Sequence, residues 1–225
     1  MAHGVALANS VYTVGRMSYE KWCELSRQPP KRSQHPFSLH VVTGSAVLIS
    51  AGHAVRHHRG LDPTIMKPSD RATGPLVEAL AFSTGAMALV AMEPWPGNSN
   101  ADPLENCVFK QRVCVEIASG RIHSVIDIHG MTDGHGADIC IGTALLDDSV
   151  LAQKARGLFE DAGMVVAMND PFGARGPGTV TRVAQEHGAE AIQIEACYRL
   201  RVGDDGNGDR AFFEALCELV TSQIT

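Results

Sequence analysis

Apolar residues in this chain gather into short runs separated by longer mixed stretches. Val47-Leu-Ile-Ser-Ala-Gly-His53, Ser124-Val-Ile-Asp-Ile-His129 and Ala191-Ile-Gln-Ile-Glu195 are β-branched and closed by Gly or polar residues, the pattern of buried strands. Further strands are expected at 39–42, 86–92, 138–142 and 164–168, and the run from 190 is expected to stay extended to 201. Helical spacing predicts a short helix near Tyr19–Ser26 and another at about 71–83. Residues 104–118 read as helix or strand. Asp147, Asp148 and Ser149 offer N-caps to a helix that Gly163 stops after Ala162, and further helices are expected at 179–187 and 209–221. Residues 29–36, 94–103 and 204–208 read as loops and turns. This alternation predicts an α/β protein, a three-layer α/β/α arrangement around a central mixed, mostly parallel sheet. One domain is expected over 1–225, with residues 1–37 as a peripheral N-terminal segment.

Composition narrows the partners. The 225 residues are 44% hydrophobic and 20% charged, enough apolar surface for one full core. Net charge is -6 with no polybasic block, which argues against nucleic acid and against anionic membranes. No apolar stretch reaches bilayer-spanning length and no basic-then-apolar leader opens the chain, so a cytoplasmic location is expected. A homo-oligomer is compatible with all of this. The six cysteines form no C-x-x-C pair and read as reduced thiols. Cys107 and Cys114 would share one helical face, while Cys140 and Cys197 fall in strand-like runs.

The three apolar runs end on chemistry-bearing residues, His53, His129 and Glu195. In open α/β sheets, ligands sit beyond the carboxyl ends of the strands. Two imidazoles and a carboxylate delivered there suit a hydrolytic zinc site, which takes three protein ligands and leaves one position open. Asp70 and Glu78 compete as the acidic ligand. Asp70 is chosen because it opens its helix near His53, although an ordinary N-cap role would also explain it. His57 and His58 read as part of a basic, solvated loop with Arg56 and Arg59. His135 reads as a loop residue within reach of substrate.

In the strand from 190, Gln193 and Glu195 share a face opposite Ile192, Ile194 and Ala196. A carboxylate buried on a central strand needs compensation, so Glu195 is expected as the general base, with an ion pair to Arg199 or Arg201 as the competing reading. Either arginine could receive a substrate carboxylate. The glycine-rich loop 169–179, which carries Arg175, lacks the spacing of nucleotide-binding loops.

Taken in order, LISAGHAVRHHRG (48–60), KPSDRATG (67–74), VIDIHGM (125–131), ADICIGTA (137–144), NDPFGARGPGTVTR (169–182) and AIQIEACYRLR (191–201) resemble the N-formylglutamate amidohydrolase family. The resemblance implies a zinc-peptidase/phosphorylase-like α/β fold and hydrolysis of an amide bond next to a carboxylate. It implies one zinc ion held by His53, Asp70 and His129, with Glu195 activating water. It also gives substrate roles to Arg182 and to one arginine after Glu195. Tyr198 stands where the family has that arginine, which moves the basic residue to Arg199. Compact relatives that cut γ-glutamyl polymers match the His, acid, His, Glu order as well.

The sequence therefore predicts a zinc-dependent amidohydrolase acting on an N-acyl amino acid or a short peptide-like substrate bearing a carboxylate. Glu195, Arg199 and Arg182 are expected in catalysis, and Arg201, Gln193, Arg175 and His135 in substrate binding. A γ-glutamyl or peptidoglycan-type peptidase on the same fold, and a non-catalytic binding relative, are the alternatives.

Overall fold

The computed structural model describes residues 19–27, 37–40, 44–59, 62–93, 98–203 and 208–224. In chain order these form α1 (Tyr19–Arg27), β1 (Phe37–His40), β2 (Val47–Ala51), β3 (His57–Arg59), β4 (Asp62–Lys67), α2 (Thr73–Thr84), β5 (Met87–Ala91) and α3 (Val108–Ala118). There follow β6 (Ser124–Gly130), β7 (Ile139–Gly142), α4 (Val150–Asp161), β8 (Val166–Met168), α5 (Val180–Glu186), β9 (Glu190–Ala196), α6 (Tyr198–Arg201) and α7 (Arg210–Thr221). The proline-rich stretch 29–36, positions 41–42, 94–97 and 204–207 lie outside the described residues.

Seven strands make one sheet in the order β1-β5-β2-β6-β9-β7-β8. It is mixed and mostly parallel: β1 on β5 and β7 on β9 are the antiparallel pairs, and the other four are parallel. Helices cover both faces, which gives the three layers. One core joins Val47, Ile49, Ile126, Ile128, Ile192 and Ile194 to apolar residues of α2, α4 and α7. The opposite core joins Leu48, Val125 and Ala191 to α3 and α5.

That second face changes character halfway along the central strands. Beyond Leu48, Val125 and Ala191, the same-face positions two residues on are Ser50, Asp127 and Gln193, and then come His129 and Glu195. All five are buried. Because β2, β6 and β9 are adjacent and parallel, their polar ends collect at one edge of the sheet.

Most of the local signals act as read. Ser149 Oγ caps α4 by accepting from the Ala152 N–H, and Gly163 follows that helix with φ +83°. Residues 108–118 are helical. All six cysteines are free.

Three expectations need correction. The strand from 190 ends at Ala196, and Tyr198–Arg201 turns into helix, so Cys197 sits at a helix start rather than in a strand. The basic stretch after His53 is a hairpin, with β3 antiparallel to β4. And α1, inside the segment read as peripheral, sends Trp22 fully into the core, stacked on Phe213 at 5.3 Å between ring centroids. Gly208 makes room for that indole, since a Cβ there would overlap it.

Candidate metal and catalytic site

Asp70 leaves its side chain free for the site because its backbone does the work of starting α2. Its carbonyl accepts from the Thr73 N–H and hydroxyl, while the N-cap position itself is Ala72, with no side-chain cap. The Asp70 carboxylate turns instead toward two imidazoles. His129 Nδ1 lies 3.1 Å from Asp70 Oδ2, and His53 Nδ1 lies 3.7 Å from the same oxygen. The Gly130 N–H also donates to it at 3.2 Å. One potential donor atom from each of His53, Asp70 and His129 lies within 4.8 Å of the others. Tetrahedral donors at zinc–ligand distances near 2.05 Å would stand about 3.3 Å apart, so small side-chain shifts suffice to accommodate an ion.

The far nitrogen of each imidazole is tied. His53 Nε2 lies 3.1 Å from Asn98 Oδ1, an oxygen that also accepts the Asn100 N–H at 2.9 Å. His53 therefore donates from Nε2 and turns the Nδ1 lone pair inward. His129 Nε2 lies 2.8 Å from Asp127 Oδ2, and the other Asp127 oxygen accepts from Ser50 Oγ at 2.5 Å. A carboxylate behind the outer N–H of a histidine is how proteins orient imidazole ligands. Burial opposes charge on the His129 ring, but the adjoining Asp127 carboxylate outweighs it and raises the pKa well above the usual value. Asp70 is held far below the ordinary carboxylate range. Burial opposes that shift, and the two facing imidazoles, His129 above all through its hydrogen bond, overcome it.

Glu195 stands beside His129 in register. Burial raises its pKa to about 7, with the charge on His129 pulling the other way and Asp70 adding to the rise. Gln193 Nε2 donates to Glu195 Oε1 at 2.9 Å, so Oε2 is left for other work, while Gln193 Oε1 is buried without a partner. A cavity of about 1150 Å³ lies over these groups. Its walls include His53, Asp70, His129, Gln193 and Glu195, the loop 168–176 with Arg175, and the hairpin residues His57 and Lys67.

Of the arginines expected around Glu195, Arg201 acts on it through its charge, and none of the three is hydrogen-bonded to it among the described residues. The facing argument for Arg199 and Arg201 assumed a continuous strand, and the turn into α6 removes it. Arg199 pairs with Asp138 at 2.5 Å, and Arg182 with Glu186 at 2.9 Å and the Arg175 carbonyl at 3.0 Å. Arg201 is buried, its guanidinium donating to the carbonyls of Ala196, Met131 and Arg71. None of these three is among the cavity-lining residues, nor is His135, which is exposed, with its ring against Phe172 and Nε2 near Thr132 Oγ1. Glu78, the rejected acid, lies 3.4 Å from His40.

Sequence reasoning missed other contributors. His57 is not solvated: it is buried, stacked flat on His53 with centroids 3.7 Å apart, and burial with the nearby His53 lowers its pKa to about 4. Asp127 was legible in the Asp-Ile-His alternation, which puts it on the His129 face. Asn98 and Asn100 sit in an irregular loop with no periodic signal.

Residues 111–201, less than half of the chain, match the family model of N-formylglutamate amidohydrolase. No curated protein sequence gives a match. Among solved structures, an N-formylglutamate amidohydrolase from Ralstonia eutropha JMP134 superposes with TM-score 0.59 at 15% identity, covering 84% of this chain and 97% of that one. A gene product from Agrobacterium tumefaciens gives 0.56 at 20% identity over 84% and 94%. A bacteriophage poly-gamma-glutamate hydrolase gives 0.50 at 14% identity over 86% and 90%. Residues 111–201 thus carry the sequence pattern of the N-formylglutamate amidohydrolase family, on a fold shared with a solved member of it.

Proposed function

We propose that this protein is a zinc-dependent amidohydrolase that cleaves the amide bond of an N-acyl amino acid or a similar carboxylate-bearing substrate. One observation carries the reading: the inner nitrogens of His53 and His129 converge on Asp70 Oδ2, with both outer nitrogens tied back and Glu195 next in line. His53, Asp70 and His129 would hold the ion, one per chain. When bound, zinc polarises the amide carbonyl and makes water acidic enough to be deprotonated near neutral pH. Glu195 takes a proton from the attacking water at Oε2 and returns it to the leaving nitrogen. Gln193 keeps the other oxygen of Glu195 engaged, which fixes the direction of that transfer.

The family match over 111–201 supports the amide as the bond cleaved. The poly-gamma-glutamate hydrolase likeness makes γ-glutamyl peptides the competing substrates. The test is metal analysis of the purified protein together with a panel of N-formyl and N-acetyl amino acids set against γ-glutamyl peptides. About one zinc per chain and turnover on the N-acyl set are expected. Full metal retention in both His53→Ala and His129→Ala would overturn the site, and turnover confined to γ-glutamyl peptides would overturn the substrate.

A further inference from the structure

His57 and Lys67 are register partners across the β3–β4 hairpin. Side chains of such a pair leave the same face, with Cβ atoms about 4.5–5.5 Å apart. Both line the cavity. The His57 ring is held in place by its stack on His53 and by Nδ1, which lies 3.3 Å from the Val55 carbonyl. A carbonyl only accepts, so Nδ1 carries the hydrogen and Nε2 presents a lone pair. That Nε2 is buried and has no hydrogen-bond partner. The residue is 4% exposed, so bulk water does not compensate it. Lys67 has neither an ion pair nor a side-chain hydrogen bond among the described residues. Arg175, the other Lys or Arg among the cavity-lining residues, is engaged by Asp147 at 3.0 Å.

A buried acceptor without a partner and an ammonium with none among the described residues thus belong to one register pair on the cavity wall. An N-acyl α-amino acid offers the complement, an amide N–H and a carboxylate separated by one carbon. We propose that the hairpin reads the amino-acid half of the substrate, with Lys67 Nζ receiving the α-carboxylate and His57 Nε2 accepting the N–H of the scissile amide. This rests on the amidohydrolase reading above and moves the carboxylate contact from the arginines to Lys67. It makes the leaving group an α-amino acid with a free carboxylate, attached through a secondary amide.

The test compares N-acetyl amino acids with their α-carboxamides, in turnover by the zinc-loaded protein and in calorimetric binding to its Glu195→Gln variant. Lys67→Met is expected to raise KM and Kd for the free acids ten- to a hundredfold and to leave the carboxamides unchanged. His57→Phe keeps a flat ring on His53; it is expected to weaken acids and carboxamides alike about tenfold, without loss of zinc and without effect on N-methylated analogues. Equal weakening of acids and carboxamides by Lys67→Met, or loss of the acid preference in Arg175→Met instead, would overturn the proposal. Binding of the acids that depends on Lys67 without any hydrolysis would sustain this subsite and sink the amidohydrolase reading. Hydrolysis that ignores Lys67 would do the reverse.

Discussion

His129 and Glu195 are direct neighbours in register on parallel strands β6 and β9, with Asp127 beside Gln193 two residues earlier. The four side chains therefore share one face of the sheet and form two polar rows, which Ser50 extends onto β2 through its bond to Asp127. Five buried polar groups on one face of an otherwise apolar sheet cost stability unless they are bonded to one another or used. Here Ser50, Asp127 and His129 satisfy one another, and Gln193 satisfies Glu195 on one oxygen only.

Glu195→Gln should lower turnover by roughly two to four orders of magnitude, the usual range for a positioned general base. Zinc content should stay near that of the parent, because Glu195 is not one of the three converging ligands. Metal analysis beside steady-state kinetics checks both. A variant that kept full activity would remove Glu195 from the chemistry, and one that lost its zinc would make it a ligand.

The same substitution changes how stability depends on pH. In the metal-free protein the Glu195 carboxyl has its pKa raised from 4.5 to about 7, chiefly by burial. The folded state then binds this proton more tightly than the unfolded state. Stability from this group is therefore highest below about 4.5 and falls as pH rises to about 7, by up to about 3 kcal/mol. The difference in unfolding free energy between Glu195→Gln and the parent, both metal-free, should widen in the variant's favour from pH 5 to 8. Other groups cancel in that difference, so a flat curve would show that the carboxyl titrates normally.

Metal loading should release a proton. In the metal-free protein Asp127 and Asp70 flank the His129 ring and favour its charged form. Binding an ion through Nδ1 requires that proton to leave. Calorimetric titration with zinc at pH 7, in buffers of different ionisation enthalpy, should report about one proton released per ion. Apparent affinity should fall as pH is lowered. Asp127→Asn removes the charge behind His129 Nε2 and should weaken zinc about ten- to a hundredfold, whereas Glu78→Gln, on the far partner His40, should not.

The features legible in the sequence were those with a period. Alternation along 124–130 and 190–196 gave the strands and their polar faces, and the apolar run before His53 gave the third. Their adjacency put the chemistry at one edge, as the sheet order bears out. The Asp70 signal was local, an acid at a helix start close behind the first histidine. What escaped the sequence was set by tertiary packing. Nothing in Asn98 or Asn100 announces a loop that reaches both histidines, Asn98 at His53 and Asn100 Nδ2 3.3 Å from His129 Nε2. A basic, histidine-rich stretch read as solvated because the ring of His53, which buries His57, arrives from outside the hairpin. The run after Glu195 kept apolar residues at positions that suit a strand, yet Cys197 begins a helix that carries Arg201 beneath the site.

Arg201 should accordingly prove a structural residue. Its three nitrogens serve the carbonyls of Ala196, Met131 and Arg71, which are the ends of β9 and β6 and the turn after Asp70. The guanidinium lies so close to Gly130 that a Cβ there would meet its central carbon at 2.3 Å. Arg201→Met would strand those carbonyls in a largely buried space, and a loss of about 2–4 kcal/mol is expected from the missing hydrogen bonds. Gly130→Ala should be destabilising too, because it pushes the same guanidinium off its partners. The three tied segments carry Glu195, His129 and Asp70, so zinc affinity and turnover should fall together. The preference for free acids over carboxamides should remain as in the parent, since the guanidinium is not on the cavity wall. Urea unfolding, zinc titration and paired kinetics on the two substrate forms check this. Loss of the acid preference in a variant of unchanged stability would return Arg201 to the substrate.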